Sequence, residues 1–175
     1  FKKHLDCDIW VPDDFNTDQF GTFSGEIKRV SNQYDALIAK AKQATQQYHY
    51  DYVISSEGSF GPHPHYYFLP GAVEMMVFID MRKNLIITES LVTKDTNFDH
   101  FDLLTAEIPT DFLQKIKFPS HAIILKDLES NEIFLKGVRD ISLLSEAIKK
   151  QSRNNARLRI ETDMRAHMNP TRMNT

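Results

Sequence analysis

Apolar positions along this chain recur in two rhythms, and the changes between them mark its elements. From Tyr34 through Leu37, Ile38, Ala41, Ala44, Thr45 and Tyr48 they return every three or four residues. That is the stripe of an amphipathic helix over 31–49, with Ser31 placed to cap it. The rhythm then shortens. Val53-Ile54 opens a strand ahead of Glu57, and Val73 to Ile79 with Leu85 to Val92 predicts a β-hairpin around Arg82-Lys83-Asn84. Upstream, Asp8-Ile9-Trp10-Val11 reads as a short strand ended by Pro12. Pro109 sits where a helix begins, the helix runs through Lys117, and Pro119 stops it before the strand-like Ala122 to Leu125. Glu129-Ser130-Asn131-Glu132 is a turn, and Ile133 to Val138 returns as a strand. Leu143, Leu144, Ala147 and Ile148 mark a further helix, and Leu158 to Ile160 starts a last strand. Strands mixed with three helices predict an α/β fold: a central mixed, partly antiparallel sheet flanked by helices.

Length and composition narrow this picture. No linker, repeat or low-complexity tract divides the 175 residues, so 1–175 is expected to be a single domain, and 41% hydrophobic content is that of a globular chain. With 21 basic against 24 acidic residues the net charge is -3. Such a chain has no broad cationic field, so polymeric nucleic acid is not expected as a partner, whereas a single nucleotide is compatible. One cysteine, Cys7, excludes an internal disulfide framework and a multi-cysteine zinc site, in keeping with a reducing cytoplasmic setting. No apolar run approaches the ~20 residues of a membrane span, and no membrane partner is expected. The chain opens at Phe1 and closes at Thr175, with a first strand expected to be missing. A homodimer is left open.

Three polar constellations carry candidate chemistry. In the first, Asp35 and Lys40 accompany the apolar stripe of the 31–49 helix, where a solvated helix face is the alternative. The second lies in Ser55-Ser56-Glu57-Gly58-Ser59-Phe60-Gly61-Pro62-His63-Pro64-His65, where small residues let a ligand approach the backbone. Glu57, expected at the end of a buried strand, is a candidate ligand for a hard divalent ion or a base that activates water. His63 and His65, two apart on extended chain, point to one side, where they can meet an anion or a metal. A strand followed by a plain turn is the alternative. In the third, Glu161, Asp163, Arg165, His167 and Asn169 alternate with Thr162, Met164, Ala166 and Met168, so extended chain would put the five polar groups on one face. Asn169-Pro170 has the form of a helix cap and first helical residue, leaving N–H groups beside Arg172 for a phosphate. Arg165, His167 and Arg172 would supply charged donors, unless Asp163 and Glu161 simply neutralise Arg165.

Three blocks of this sequence resemble the bacterial family called domain of unknown function 6671. They are Thr17-Asp18-Gln19-Phe20-Gly21-Thr22-Phe23-Ser24-Gly25-Glu26, Ser55 to Pro64, and Glu161-Thr162-Asp163-Met164-Arg165-Ala166-His167-Met168-Asn169-Pro170-Thr171-Arg172-Met173. The resemblance implies a strand before Phe1 and a helix from Pro170 that continues past Thr175, and it supplies no activity. More distantly, the order of parts is similar to that of the inosine/xanthosine triphosphate pyrophosphatases and their Maf-like relatives. Asp35-Ala36-Leu37-Ile38-Ala39-Lys40-Ala41 looks like their helix motif, with Ala36 where they have asparagine, and Ser56-Glu57-Gly58 looks like their strand-end acid.

That second similarity implies a metal-dependent phosphohydrolase acting on a nucleotide or another small phosphorylated molecule. Asp35 and Glu57 would hold Mg²⁺, and Lys40 and Arg172 would balance phosphate charge. Thr22 and Ser24 would grip the phosphate tail, Phe23 or Phe60 would stack on a base, and Glu26, Ser56, Gly58, His63, Asp163 and Asn169 complete the candidate set. A non-catalytic module that binds a phosphorylated ligand, and a structural domain whose polar motifs lock loops together, are the competing readings.

Overall fold

The computed structural model describes residues 8–15, 32–154 and 156–175. The helical stripe forms α1, Gln33–Tyr48. Its cap is Asn32, whose side chain accepts the Asp35 amide at 2.9 Å, and the expected cap Ser31 lies outside the described residues. The helix ends at His49, which takes a left-handed conformation (φ 56°) and returns its N–H to the Thr45 carbonyl.

Three strands follow as an antiparallel meander: β1 (Tyr52–Pro62), β2 (Pro70–Asp80) and β3 (Leu85–Thr93), in the order β1-β2-β3. The predicted hairpin is present. Asp80 fixes its turn by accepting the Arg82 and Lys83 amides, and Asn84 takes the positive φ (50°) that closes it. Pairing is unbroken from Tyr52↔Asp80 to Pro62↔Pro70, so side chains alternate strictly between the two faces. One face carries Val53, Ser55 and Glu57 opposite Ile79, Val77 and Met75, and here Leu37 and Ala41 of α1 pack on Val77 and Ile79. The other face carries Tyr52, Ile54, Ser56, Gly58 and Phe60 opposite Asp80, Phe78, Met76, Glu74 and Ala72.

The second half builds β4 (His100–Asp102), α2 (Thr110–Lys115), β5 (Ile123–Asp127), β6 (Ile133–Val138), α3 (Ile141–Arg153) and β7 (Leu158–Thr162). These strands form a separate sheet in the order β4-β7-β5-β6. Its inner face places Ile123, Leu125, Leu158 and Ile160 against Phe112, Leu113 and Ile116 at α2 and Leu144 and Ile148 of α3. Its outer face carries charge pairs: Lys126 with Glu161 at 2.7 Å, and Arg159 with Asp102. The same face holds Ile124, fully buried opposite Glu161.

The mixture of helices and strands is as expected, and the antiparallel share extends to every pairing among the described residues. The strands divide between two sheets instead of sharing one. Sequence reading also differs from the fold in three places. Asp8 to Val11 is not a strand: with no ladder to join, it is anchored by Trp10, whose ring packs on Tyr48 and Tyr50 at 5.0 and 5.6 Å. Glu57 is not at a strand end, because β1 continues through the small polar residues, which the eleven-residue ladder with β2 holds extended. The alternating segment 161–169 is extended only to Thr162. There Asp163 captures the Arg165 amide, and the chain turns into a short 3₁₀ helix, Ala166–Met168, and then α4, Pro170–Met173. Among the described residues no helix is long and apolar enough to cross a membrane.

Candidate functional site

Glu57 projects from β1 toward α1 and is 5% exposed. Its carboxylate pairs with the Lys40 ammonium, which also donates to the Ser56 carbonyl at 2.9 Å. Gln33 lies two helical turns before Lys40, on the same line of the helix, and donates to the Glu57 and Val73 carbonyls at 2.8 Å each. The polar α1 side chains bonded to β1 are therefore Gln33 and Lys40. Asp35 sits about 200° round the helix from Gln33, where it is exposed and accepts from the Asn32 side chain at 2.9 Å. Asp35 and Glu57 thus do not share a site. Among the described residues no three His, Cys, Asp or Glu side chains gather as a metal centre would need. A Mg²⁺ site on Asp35 and Glu57 does not fit this arrangement.

Arg172 meets the same sheet from the other side. Its guanidinium grips Glu74 (Nε to Oε1 2.7 Å, Nη2 to Oε2 3.3 Å), donates to the Met164 carbonyl at 2.6 Å, and lies 5.1 Å from the centre of the Phe60 ring. Gly58 makes this approach possible: a Cβ there would stand 2.6 Å from Arg172 Nη2. Because Gly58 and Glu74 are paired on the face opposite Glu57, the sheet separates the Glu57 carboxylate from the Arg172 guanidinium. Phe60 stacks on Phe98 at 6.3 Å and is covered by Arg172, so it does not offer a free ring to a base.

The last segment is likewise tied to the protein. Asp163, fully buried, holds Arg165 through Nε at 2.9 Å and Nη2 at 2.6 Å, the neutralised arrangement that was the alternative reading. His167 is exposed, and its carbonyl accepts from Arg139. Asn169 caps α4 as expected, accepting the Arg172 amide at 3.1 Å, while its own amide nitrogen donates to Asn97 at 2.7 Å. The Thr171 amide donates to His121 Nε2 at 3.1 Å, and the Met173 amide returns to the Asn169 carbonyl. The α4 N–H groups expected to meet phosphate are thus satisfied internally. His121 serves that bond as the neutral ring. Its Nδ1 faces the Ser120 hydroxyl, itself bonded to the Lys117 carbonyl, and burial, then the charge of Lys117, hold its pKa below the usual histidine range.

His63 closes the β1–β2 loop: its Nδ1 accepts the His65 and Tyr66 amides at 3.1 and 3.2 Å. It is buried while His65 is exposed; the two rings lie 5.9 Å apart between centroids, and Nδ1 of His63 is taken up by the loop amides. Thr22, Ser24, Glu26 and Phe23 lie outside the described residues.

What the structure adds is a cavity of about 360 Å³ where the two sheets meet. The β3–β4 connection supplies Lys94, Asp95, Thr96, Asn97, Phe98 and Asp99, the end of α2 supplies Lys115, Ile116 and Lys117, and Pro70 and Thr171 complete the lining. The connection is held on both sides. Asn97 donates to the Ile116 carbonyl and accepts from Asn169, the Thr162 amide donates to the Asp99 carbonyl, and the Asp99 amide donates to the Thr162 hydroxyl. Lys115 pairs with Asp99 at 2.6 Å, whereas among the described residues Lys94 and Lys117 make no ion pair.

The chain matches the family described as Domain of unknown function (DUF6671) over residues 40–175. It belongs to that family. No curated protein and no solved structure matches it. Two of the blocks through which the sequence resembles DUF6671 fall in this span, and within the fold they are structural ties: Gly58 admits Arg172, and Asn169 joins α4 to the β3–β4 connection. The cavity lysines escaped sequence reading because Lys117 sits at the end of an expected helix and Lys94 in a stretch after the hairpin that carries no period. The available signal was the polar run Lys94-Asp95-Thr96-Asn97 directly after a strand.

Proposed function

We propose that this chain is a non-catalytic module that binds a small phosphorylated ligand in the cavity between the two sheets. The observation that carries the reading is the pair of ammonium groups, Lys94 and Lys117, without a carboxylate partner among the described residues, beside the hydroxyls of Thr96 and Thr171. Asp99 is engaged by Lys115, and although Asp95 also lines the cavity, its three lysines outnumber its two carboxylates, while the hydroxyls of Thr96 and Thr171, bonded to the Phe98 amide and to His121, add polar atoms for a phosphate. About 360 Å³ is near the lower end of small-molecule sites, which suits a sugar phosphate or a nucleoside monophosphate better than a dinucleotide. Binding without turnover agrees with the placement of the acids: Glu57 is engaged by Lys40 beneath α1, and Asp35, in the first turn of α1, accepts from the side chain of the cap residue Asn32.

Calorimetric titration with inorganic phosphate, a sugar phosphate and a nucleoside monophosphate tests this. Saturable binding that weakens with salt is expected, with a loss of about ten-fold or more in the Lys94→Ala/Lys117→Ala double variant. Glu57→Gln should bind as the parent does, and nucleoside triphosphates with Mg²⁺ should release no phosphate. No saturable binding of any probe, or a double variant that binds equally well, sinks the reading.

A further inference from the structure

The face of the first sheet that α1 leaves uncovered carries Tyr52, Ile54, Met76, Leu85, Ile87 and Leu91, each between 39% and 48% exposed. Toward its far end this face is closed by Arg172 over Gly58 and Phe60, but along β3 nothing described covers it. β3 also exposes its opposite face, at Ile86 (44%) and Val92 (41%). Among the described residues no strand pairs with its outer edge. Edge strands in proteins that remain monomers are usually short, bulged or rich in charge. This one runs nine residues in regular register and is apolar at both ends, the composition of a strand with neighbours on each side.

From Ile86 to Val92 the pattern of β3 also reads alike in both directions. Leu85-Ile86-Ile87 precede Thr88-Glu89-Ser90, and Leu91-Val92-Thr93 follow. Laid antiparallel on itself about Glu89, the strand sets Ile87 opposite Leu91, Ile86 opposite Val92, and Thr88 opposite Ser90. An isologous contact needs this self-complementarity, and an unrelated partner would have no reason to match it. We propose that β3 pairs with β3 of a second copy of this chain about a two-fold axis, forming one continuous six-stranded sheet.

Two quantitative consequences follow. Nine residues span about 30 Å and a sheet is about 10 Å thick, so the paired edge buries on the order of 300 Å² per copy. That is well below the ~800 Å² per partner of a standard interface, so the dimer is weak and dissociates in the micromolar to millimolar range. The axis also brings the two Glu89 carboxylates directly opposite each other, which opposes pairing.

Sedimentation equilibrium of the full chain under reducing conditions, from about 1 µM to 1 mM, tests the proposal across that range. A monomer–dimer equilibrium is expected. Glu89→Gln should tighten it about two- to five-fold by removing the like-charge contact. Ile87→Lys, which puts an ammonium opposite Leu91 twice per dimer, should leave only monomer. Leu91→Lys serves in its place if circular dichroism finds Ile87→Lys unfolded, and Leu104→Lys, at a 96% exposed position elsewhere, should change nothing. The proposal is overturned by a chain that stays monomeric at 1 mM, by a dimer indifferent to the lysine variants, or by one that Glu89→Gln does not tighten. Open-ended aggregation without a discrete dimer overturns it equally.

Discussion

The two sheets are both antiparallel and both receive helices on one face, yet they treat the other face differently. The β4-β7-β5-β6 sheet turns Lys126, Glu161, Arg159 and Asp102 outward, and the β1-β2-β3 sheet turns out Tyr52, Ile54, Ile87 and Leu91. Their interiors differ in the same sense. Ten buried apolar residues form the core of the second sheet, against four for the first among the described residues. A sheet with a large core needs no polar anchoring, whereas one with a small core must be held by directional contacts. The first sheet has them: Lys40 and Gln33 on one side, Arg172 on the other. The residues singled out as candidate chemistry are largely these anchors.

The widest gap should come from deleting equivalent core side chains. Ile160→Ala, fully buried in the larger core, should cost about 4 kcal/mol and lower the global transition in urea. Val77→Ala should cost about 2 kcal/mol and speed amide exchange in β1–β3 ahead of β4–β7. Equal loss of protection in both sheets after Val77→Ala would show one cooperative unit and remove the distinction.

Arg172→Met, which keeps an apolar stem over Phe60 but leaves Glu74 and the Met164 carbonyl short of a donor, should cost about 2–3 kcal/mol. Exchange should again rise first in the β1-β2-β3 sheet. If α4 alone loosens, Arg172 anchors only its own helix and the first sheet is held by other means.

The smallest effect belongs to the charged outer face. Arg159, by its hydrogen bonds and charge, holds the Asp102 carboxyl below its ordinary pKa. A depressed carboxyl stabilises the fold above its unfolded pKa, near 4, and that contribution fades as pH falls through the folded value. Because the pair is partly solvated, Asp102→Asn should cost less than ~1 kcal/mol at pH 7. The difference from the parent should close in denaturation curves taken below about pH 4. A gap that persists in acid would mean the side chain acts through packing.

Much of the fold was legible in local patterns. The α1 stripe, the hairpin turn and the Asn169-Pro170 cap all depend on neighbours within a few residues, and each appears where its residues place it. Ser55 to Pro62 hid its strand character, because small polar residues favour turns until a partner strand supplies the ladder. β4 gave no signal, since three residues of His-Phe-Asp carry no period. The candidate site was harder still. Glu57 stands out by its small neighbours and Arg165 and Arg172 as donors suited to phosphate, and their partners, Lys40, Asp163 and Glu74, turn them into structural ties.

Residue order alone dictated the rhythm of each element and where most begin and stop, because helical and extended backbones impose their periods on side chains a few positions apart. It did not dictate which strands would share a sheet, or that Glu57 and Arg172 would face away from each other across β1 and β2. Those outcomes follow from pairing between distant segments, where a shift of one residue in register would exchange the two faces. The cavity lysines and the open β3 edge belong to the same class, since both are set by which distant segments pair and which edge is left unpaired.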